Sequence, residues 1–429
     1  MAAVSPRRRR DVIHALRRGT VPAQGLDLLA VGLQPFEAAL EGELDTVAGG
    51  GAVFKAVRGE YGSGKTFFTR HLAERAQRRG FATAEVQISE TETPLHRLET
   101  VYRRVTESLR TASVPPSAFR SVLDAWLFTL EDDVAEAGQS LDAVDRVLDE
   151  RLSPISTTMP AFAQVLRAYR TAATAGDGAL SESLVAWLGG QPHVAAAAKR
   201  AAGIKGDLDH FGAMGALQGL LLVLRDAGHP GLLLVLDEVE TLQRVRGDVR
   251  DKALNALRQL IDEIDAGRFP GLYLLITGTP AFFEGPSGLN RLPPLAQRLH
   301  VDFSTDRRFD NPRAVQVRLP GFTQDALLEL GGKVRDLYAG GIPHEERVRT
   351  AVDDAYVASL ARAVTGSLGG KVGVAPRIFL KKLVGDVLDR VDQFPDFDPR
   401  QHYALTVSSS ELTEVERNLS RADDVDLDL

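Results

Sequence analysis

"GEYGSGKT", residues 59–66, is the stretch on which the reading of this chain turns. Gly59, Gly64, Lys65 and Thr66 satisfy the spacing G-x-x-x-x-G-K-S/T. The chemistry of phosphate explains that spacing. Glycines let successive backbone N–H groups turn inward on one anion, and a helix N-terminus behind them adds a favourable dipole. Lys65 would reach the β- and γ-phosphates of a nucleotide, and the Thr66 hydroxyl would ligate Mg2+. The flanks agree. "AVFKAV" (52–57) is a short apolar run ahead of the loop, and "KTFFTRHLAERAQRRG" (65–80) is an amphipathic helix after it. Gly59, Glu60, Tyr61, Gly62, Ser63, Gly64, Lys65, Thr66 and Phe67 are therefore the expected nucleotide-binding run.

Working outward, "FATAEVQI" (81–88) is a second strand, which begins a parallel α/β sheet of strand, loop, helix, strand. Sheet character returns at "GLLLVLDE" (231–238) and "GLYLLITGT" (271–279), with the helix "RDKALNALRQLIDEIDAG" (250–267) between them, and ends at "AVQVRLP" (314–320). The apolar run before Asp237 and Glu238 marks a buried strand that delivers two acids at its end. Asp237 is expected to hold Mg2+ through water, and Glu238 to polarise the attacking water. Capping of the next helix is the competing use of such acids. The second acid is what favours hydrolysis over binding alone.

Further candidates carry weaker signals. Thr277 and Thr279 end the next strand, where a hydroxyl could touch the γ-phosphate or the attacking water; a plain Gly-Thr-Pro turn explains them equally. Arg298, in "PPLAQRLHVDF", could serve a neighbouring subunit's nucleotide as a finger, against the simpler reading of an arginine on a solvated helix. Arg377 opens a helix in "GVAPRIFLKKLVGDVLD", from which it could swing onto the γ-phosphate.

Composition bounds the rest. With 429 residues, the chain exceeds what one core usually organises. It holds no cysteine, which excludes disulfides, thiolate metal sites and cysteine nucleophiles. No apolar run approaches the ~20 residues of a membrane span. The start lacks the apolar core of a secretory signal, so a cytoplasmic protein with no membrane association is expected. The net charge of −7 argues against a nucleic-acid-coating protein. No H-E-x-x-H or G-x-S-x-G is present. The organisation expected is a basic helix and nucleotide-entry segment (1–34), an α/β core (35–320) with a helical insertion at about 90–205, a helical lid (321–395), and a partly disordered acidic tail (396–429).

This order of features resembles AAA+ P-loop ATPases, within them the origin-recognition and STAND-like branch. "ALRRGTVPAQGLDLLAVGL", "FKAVRGEYGSGKTFF", "AEVQISETETPLHRLETVYR" and "GVAPRIFLKKLV" resemble the component D family of ATP-binding proteins in BREX phage-defence systems, over about residues 7–392. The resemblance implies a role in bacterial antiviral defence, with ATP as cofactor and other proteins of the defence system as partners; the motifs themselves imply Mg2+, and Arg298 acting as a finger would imply a homo-oligomer. The resemblance also implies that Val31 and Gly32, with Arg18, Gly19 and Pro22, lie around the adenine. Only about 36 residues follow the lid, too few for the winged-helix DNA reader of origin-recognition proteins. DNA binding through that module is therefore not expected. Two alternatives to an ATP-driven machine stand beside it. One is a nucleotide-gated signalling scaffold with little turnover. The other is a DNA-engaging loader or translocase, for which the arginine-rich start and Arg244, Arg246 and Arg250 are the candidate contacts.

Overall fold

Whether the alternation of strand and helix builds one sheet is answered by a computed structural model, which describes residues 4–139, 143–367 and 376–407. Of the tail expected to be partly disordered (396–429), residues 408–429 lie outside the described residues, as do the first residues of "GVAPRIFLKKLV". The described chain divides into two compact units. One gathers residues 39–57 and 75–317, the other the described parts of 1–38, 58–74 and 318–429.

The first unit is built on a five-stranded parallel sheet: β1 (Val53–Arg58), β2 (Ala82–Gln87), β3 (Leu232–Asp237), β4 (Leu272–Gly278) and β5 (Gln316–Arg318), in the order β2-β3-β4-β1-β5. Every residue of β3 and β4 is buried, as their uninterrupted apolar sequences require of interior strands covered on both faces. The edges are short or covered. β5 has three residues, and β2 is bridged by Arg110, whose backbone exchanges both hydrogen bonds with Thr83. Lys55 of β1 is buried yet satisfied: its ammonium pairs with Glu43 at 2.6 Å and donates to the carbonyls of Pro312 and Ala314.

From 98 to 201 the described chain is helical. Leu98–Ser108 shows why: Leu98, Val101, Tyr102 and Val105 recur at the spacing of one helix face and are all buried. The helix His210–Asp226 then packs against Leu98–Ser108, Phe119–Glu136, Ala143–Thr158 and Pro160–Thr174. Its glycines permit that closeness, since a Cβ at Gly219 would fall 2.5 Å from the Phe162 ring.

In the second unit, Ser5 caps the helix Pro6–Arg17, accepting a hydrogen bond from the Arg8 amide, with Pro6 at its first turn. Val12, Ile13 and Leu16 of that helix join a core made with Gln324–Ala339, Asp354–Ser367 and the run 376–393. Arg17 clamps the Asp389 carboxylate with bonds of 2.6 and 2.7 Å, and the Tyr338 hydroxyl donates to the same group. The run 376–393 begins as the α-helix Pro376–Lys381 and continues as the π-helix Lys382–Leu388.

Candidate functional site

The phosphate loop belongs to the second unit, between Arg58 and the helix Lys65–Arg78. Gly62 and Gly64 sit at φ +77° and +89°, a backbone region that side chains disfavour. Gly59 is required for a different reason, because a Cβ there would lie 2.3 Å from the Ser63 hydroxyl. Lys65 is buried; its ammonium donates to the carbonyls of Gly59 (2.9 Å) and Glu60 (3.3 Å) and lies over the Tyr61 ring. The Ser63 hydroxyl is buried and has no hydrogen-bond partner among the described residues. Loop glycines at positive φ, a buried hydroxyl with no partner among the described residues and a helix N-terminus are the donor set a polyphosphate needs, so the residues present fit that group.

The acid pair belongs to the first unit. Asp237, the last residue of β3, is buried, and its carboxylate accepts from the Thr277 hydroxyl at the end of β4. The same hydroxyl accepts from the Glu238 amide at 3.1 Å, so one fully buried threonine ties both acids together. Glu238 stands at φ +61°, which only Ser117 and His193 share among the described non-glycine residues. Its carboxylate accepts from the Gln87 amide at 2.9 Å. Gln87 ends β2 and is the register partner of Asp237. A carboxylate beside a hydroxyl suits Mg2+, which prefers oxygen ligands, and the Thr66 hydroxyl of the loop is of the same class.

The remaining expected residues fall as follows. Val31 and Phe67 pack against the second unit's core, with the Phe67 ring stacked on His71. Gly32 is at φ +71° with open space where a Cβ would be. Arg377 approaches Gly19, its Nη1 3.7 Å from where a Cβ on that glycine would stand. Pro22 is buried and Arg18 caps the first helix. Thr279 is buried and precedes the helix Pro280–Glu284, accepting from the amides of Phe282 and Phe283 through its carbonyl. Arg298 pairs with Asp262, and with Asp265 at 3.4 Å, on the helix Gly247–Asp265. Arg250 donates to the carbonyls of Leu242, Gln243 and Val245, and Arg246 pairs with Asp248.

Sequence reasoning passed over several residues that shape these surroundings. Gln87 holds the second acid. Phe322 stands 3.4 Å from where a Cβ on Gly64 would be, and so flanks the loop. Glu74 accepts from the amides of Gly25 and Leu26 at 3.1 and 2.9 Å, and Lys333 donates to the Ala30 carbonyl at 2.7 Å. Together they fix the segment leading to Val31 and Gly32. The one local signal was Gln87, a polar residue ending an apolar strand.

Comparison with known proteins identifies a family. The family model described as "BREX system ATP-binding protein BrxC/D" matches residues 4–407. Among solved structures, the ORC2 protein of Aeropyrum pernix (ADPNP-ADP complexes) is similar at 12% identity, over 86% of this chain and 70% of that one, with a TM-score of 0.34. No curated protein matches the chain. Among the described residues, no helix is long and apolar enough to cross a membrane.

Proposed function

The chain belongs to the BREX system ATP-binding protein BrxC/D family, and from that premise we propose that it hydrolyses ATP as a switch or motor within a bacterial anti-phage defence assembly. The observation that carries the step from binding to hydrolysis is the Thr277 hydroxyl, which holds Asp237 and Glu238 together at the ends of two neighbouring strands. Binding needs the first acid, and a second acid held beside it is suited to activating a water molecule. The roles follow from the groups. The loop and Lys65 would bind the phosphates, the Thr66 hydroxyl and the Asp237 carboxylate are the oxygen ligands proposed for Mg2+, and Glu238 would take a proton from the attacking water while Gln87 orients its carboxylate. Bound Mg2+ would supply charge neutralisation on the phosphates. Arg377, in the same unit as the loop, is the cation proposed to answer the γ-phosphate. Arg298 is the candidate finger of a homo-oligomer, and it would have to leave Asp262 to act.

The test is steady-state ATP hydrolysis by the purified protein, alone and with duplex DNA, across protein concentration. Glu238→Gln should keep ATP binding and lose roughly 10²–10⁴-fold in turnover, the usual worth of a general base. Lys65→Ala should lose binding itself. Wild-type rates in Glu238→Gln would sink the proposal. Tight ATP binding without turnover, even with the partner proteins of the system added, would sink it equally and leave a nucleotide-gated scaffold.

A further inference from the structure

On the first unit's sheet, the acids stand where β3 ends, and a cavity of about 680 Å³ opens at the edge where the strands begin. It lies between the helices Ala143–Thr158 and His210–Asp226 and the turn ahead of β4. Pro154, Ile155, Leu222 and Pro270 give it an apolar lining, and Arg151, Arg225 and Arg268 line it as well.

Those three arginines are not equivalent. Arg151 pairs with Asp226, whose other oxygen takes the Trp126 indole N–H at 2.7 Å, and with Asp133 at 3.3 Å. Arg268 is held by both oxygens of Glu263. Arg225 is exposed and forms no ion pair or hydrogen bond among the described residues. It is nevertheless laid in place. Its stem crosses Gly271, where a Cβ would stand 2.7 Å from its Cδ, and its guanidinium meets Gly50, where a Cβ would stand 3.0 Å from Nη2. Two glycines from different loops thus form a bed for one cation that has no ion-pair partner among the described residues. Such preorganisation lowers the ordering cost of binding.

We propose that this cavity docks a segment of a partner protein that carries one carboxylate between aliphatic side chains, with Arg225 as the charged anchor. Charge bookkeeping selects the ligand. Arg151 and Arg268 are already held by acids, which leaves Arg225 as the lining cation with no ion-pair partner among the described residues, available to one anionic group. A nucleic-acid backbone would instead need a track of several unpaired cations. The apolar lining calls for aliphatic groups beside that carboxylate. The helix carrying Arg151 belongs to the insertion that the nucleotide chemistry does not use. The proposal rests on the reading of the chain as one component of a multi-protein system, and it is independent of turnover.

The probe is a fluorescein-labelled nonapeptide with a central aspartate flanked by two leucines on each side, and its asparagine counterpart. Both are titrated by anisotropy into the full chain, with ATP hydrolysis measured on the same preparations. The aspartate peptide should bind the wild type, and replacing aspartate by asparagine should weaken it at least about tenfold, the value of a charge-assisted bond. Arg225→Glu and the milder Arg225→Gln should each weaken it at least as much while leaving basal hydrolysis unchanged. If Arg225→Glu fails to fold by circular dichroism, Arg225→Gln carries the decision. Equal binding of the two peptides, unchanged binding in Arg225→Gln, absence of binding to the wild type at millimolar peptide, or displacement by a 20-base-pair duplex would each overturn the proposal. Loss of hydrolysis with intact peptide binding would count against the proposed function and leave this inference standing.

Discussion

Thr277 offers the sharpest test of how the acid pair is held. Its side chain is wholly buried, with the hydroxyl donating to Asp237 and accepting from the Glu238 amide. Thr277→Val keeps the shape and removes only that hydroxyl. The Glu238 N–H is not orphaned, because it also reaches the Asp237 carboxylate at 3.1 Å. The loss therefore falls on the carboxylate, as one hydrogen bond to a charged group worth about 1.5–3 kcal/mol. For a unit of roughly 150–250 residues each kcal/mol moves the melting temperature by about 2–4 °C, so a drop of roughly 3–12 °C is expected. The functional effect should be confined to the metal. A hydroxyl that orients a metal-binding carboxylate typically contributes ~10–100-fold to metal affinity. A fluorescent ATP analogue titrated with and without Mg2+ separates the two. Mg2+-free affinity should be unchanged, the enhancement by Mg2+ should fall by about that factor, and Thr277→Ser should restore both melting and enhancement. A Thr277→Val protein with wild-type melting and undiminished Mg2+ enhancement would refute the arrangement.

Three further outcomes follow from the same geometry. Gly59→Ala places a methyl 2.3 Å from the Ser63 hydroxyl, so ATP affinity should fall at least about tenfold while the fold, followed by circular dichroism, persists. Gln87→Leu removes the donor from Glu238 and should lower kcat with little change in KM for ATP; a fall confined to KM would contradict a positioning role. Burial pushes the Glu41 carboxyl up, but hydrogen bonds from Arg75 and Arg79 outweigh it and hold the group below its ordinary value of 4.5. A depressed carboxyl stabilises the folded state above that value and loses its contribution as pH falls through the folded pKa. Glu41→Gln should therefore cost stability at pH 7 and progressively less as pH falls below the ordinary carboxylate range, measured by urea denaturation at each pH.

Much of this architecture was legible because its signals are local. The loop spacing, the apolar run before Asp237 and the single-face periodicity of 98–108 each lie within a few turns of chain. The helix His210–Asp226 gave no such signal. It buries residues around most of its circumference, so it has no polar face, and its glycines lower helix propensity. Those glycines make sense only once Met159 and Phe162 are seen pressed against them. The arginines failed to declare themselves for a related reason. Arg298 reads as a candidate finger until Asp262 and Asp265 are found beside it, and nothing in "PPLAQRLHVDF" announces acids about 35 positions earlier. Gln87 and Thr277 likewise acquire meaning only through the strand pairing that brings β2, β3 and β4 side by side.

The backbone at Glu238 bears on whether the pair serves turnover or only binding. A left-handed conformation costs a residue with a Cβ about 1–2 kcal/mol, and glycine, asparagine or aspartate tolerate it better than glutamate. If the position existed only to turn the chain out of β3 into the helical turn Val239–Gln243, any of those would do so at lower cost. Glutamate is present, its carboxylate is held by Gln87, and its amide is held from below by Thr277. The backbone strain is thus fixed from two sides in support of one side chain. A carboxylate accepting a single hydrogen bond keeps lone pairs for a water molecule, so its engagement by Gln87 orients the carboxylate without occupying it. Strain kept for a specific side chain is expected where that side chain does chemistry. Glu238→Gly should accordingly melt no lower than the wild type, or slightly higher, while losing hydrolysis. A clear loss of stability in that variant would return the glutamate to a structural role.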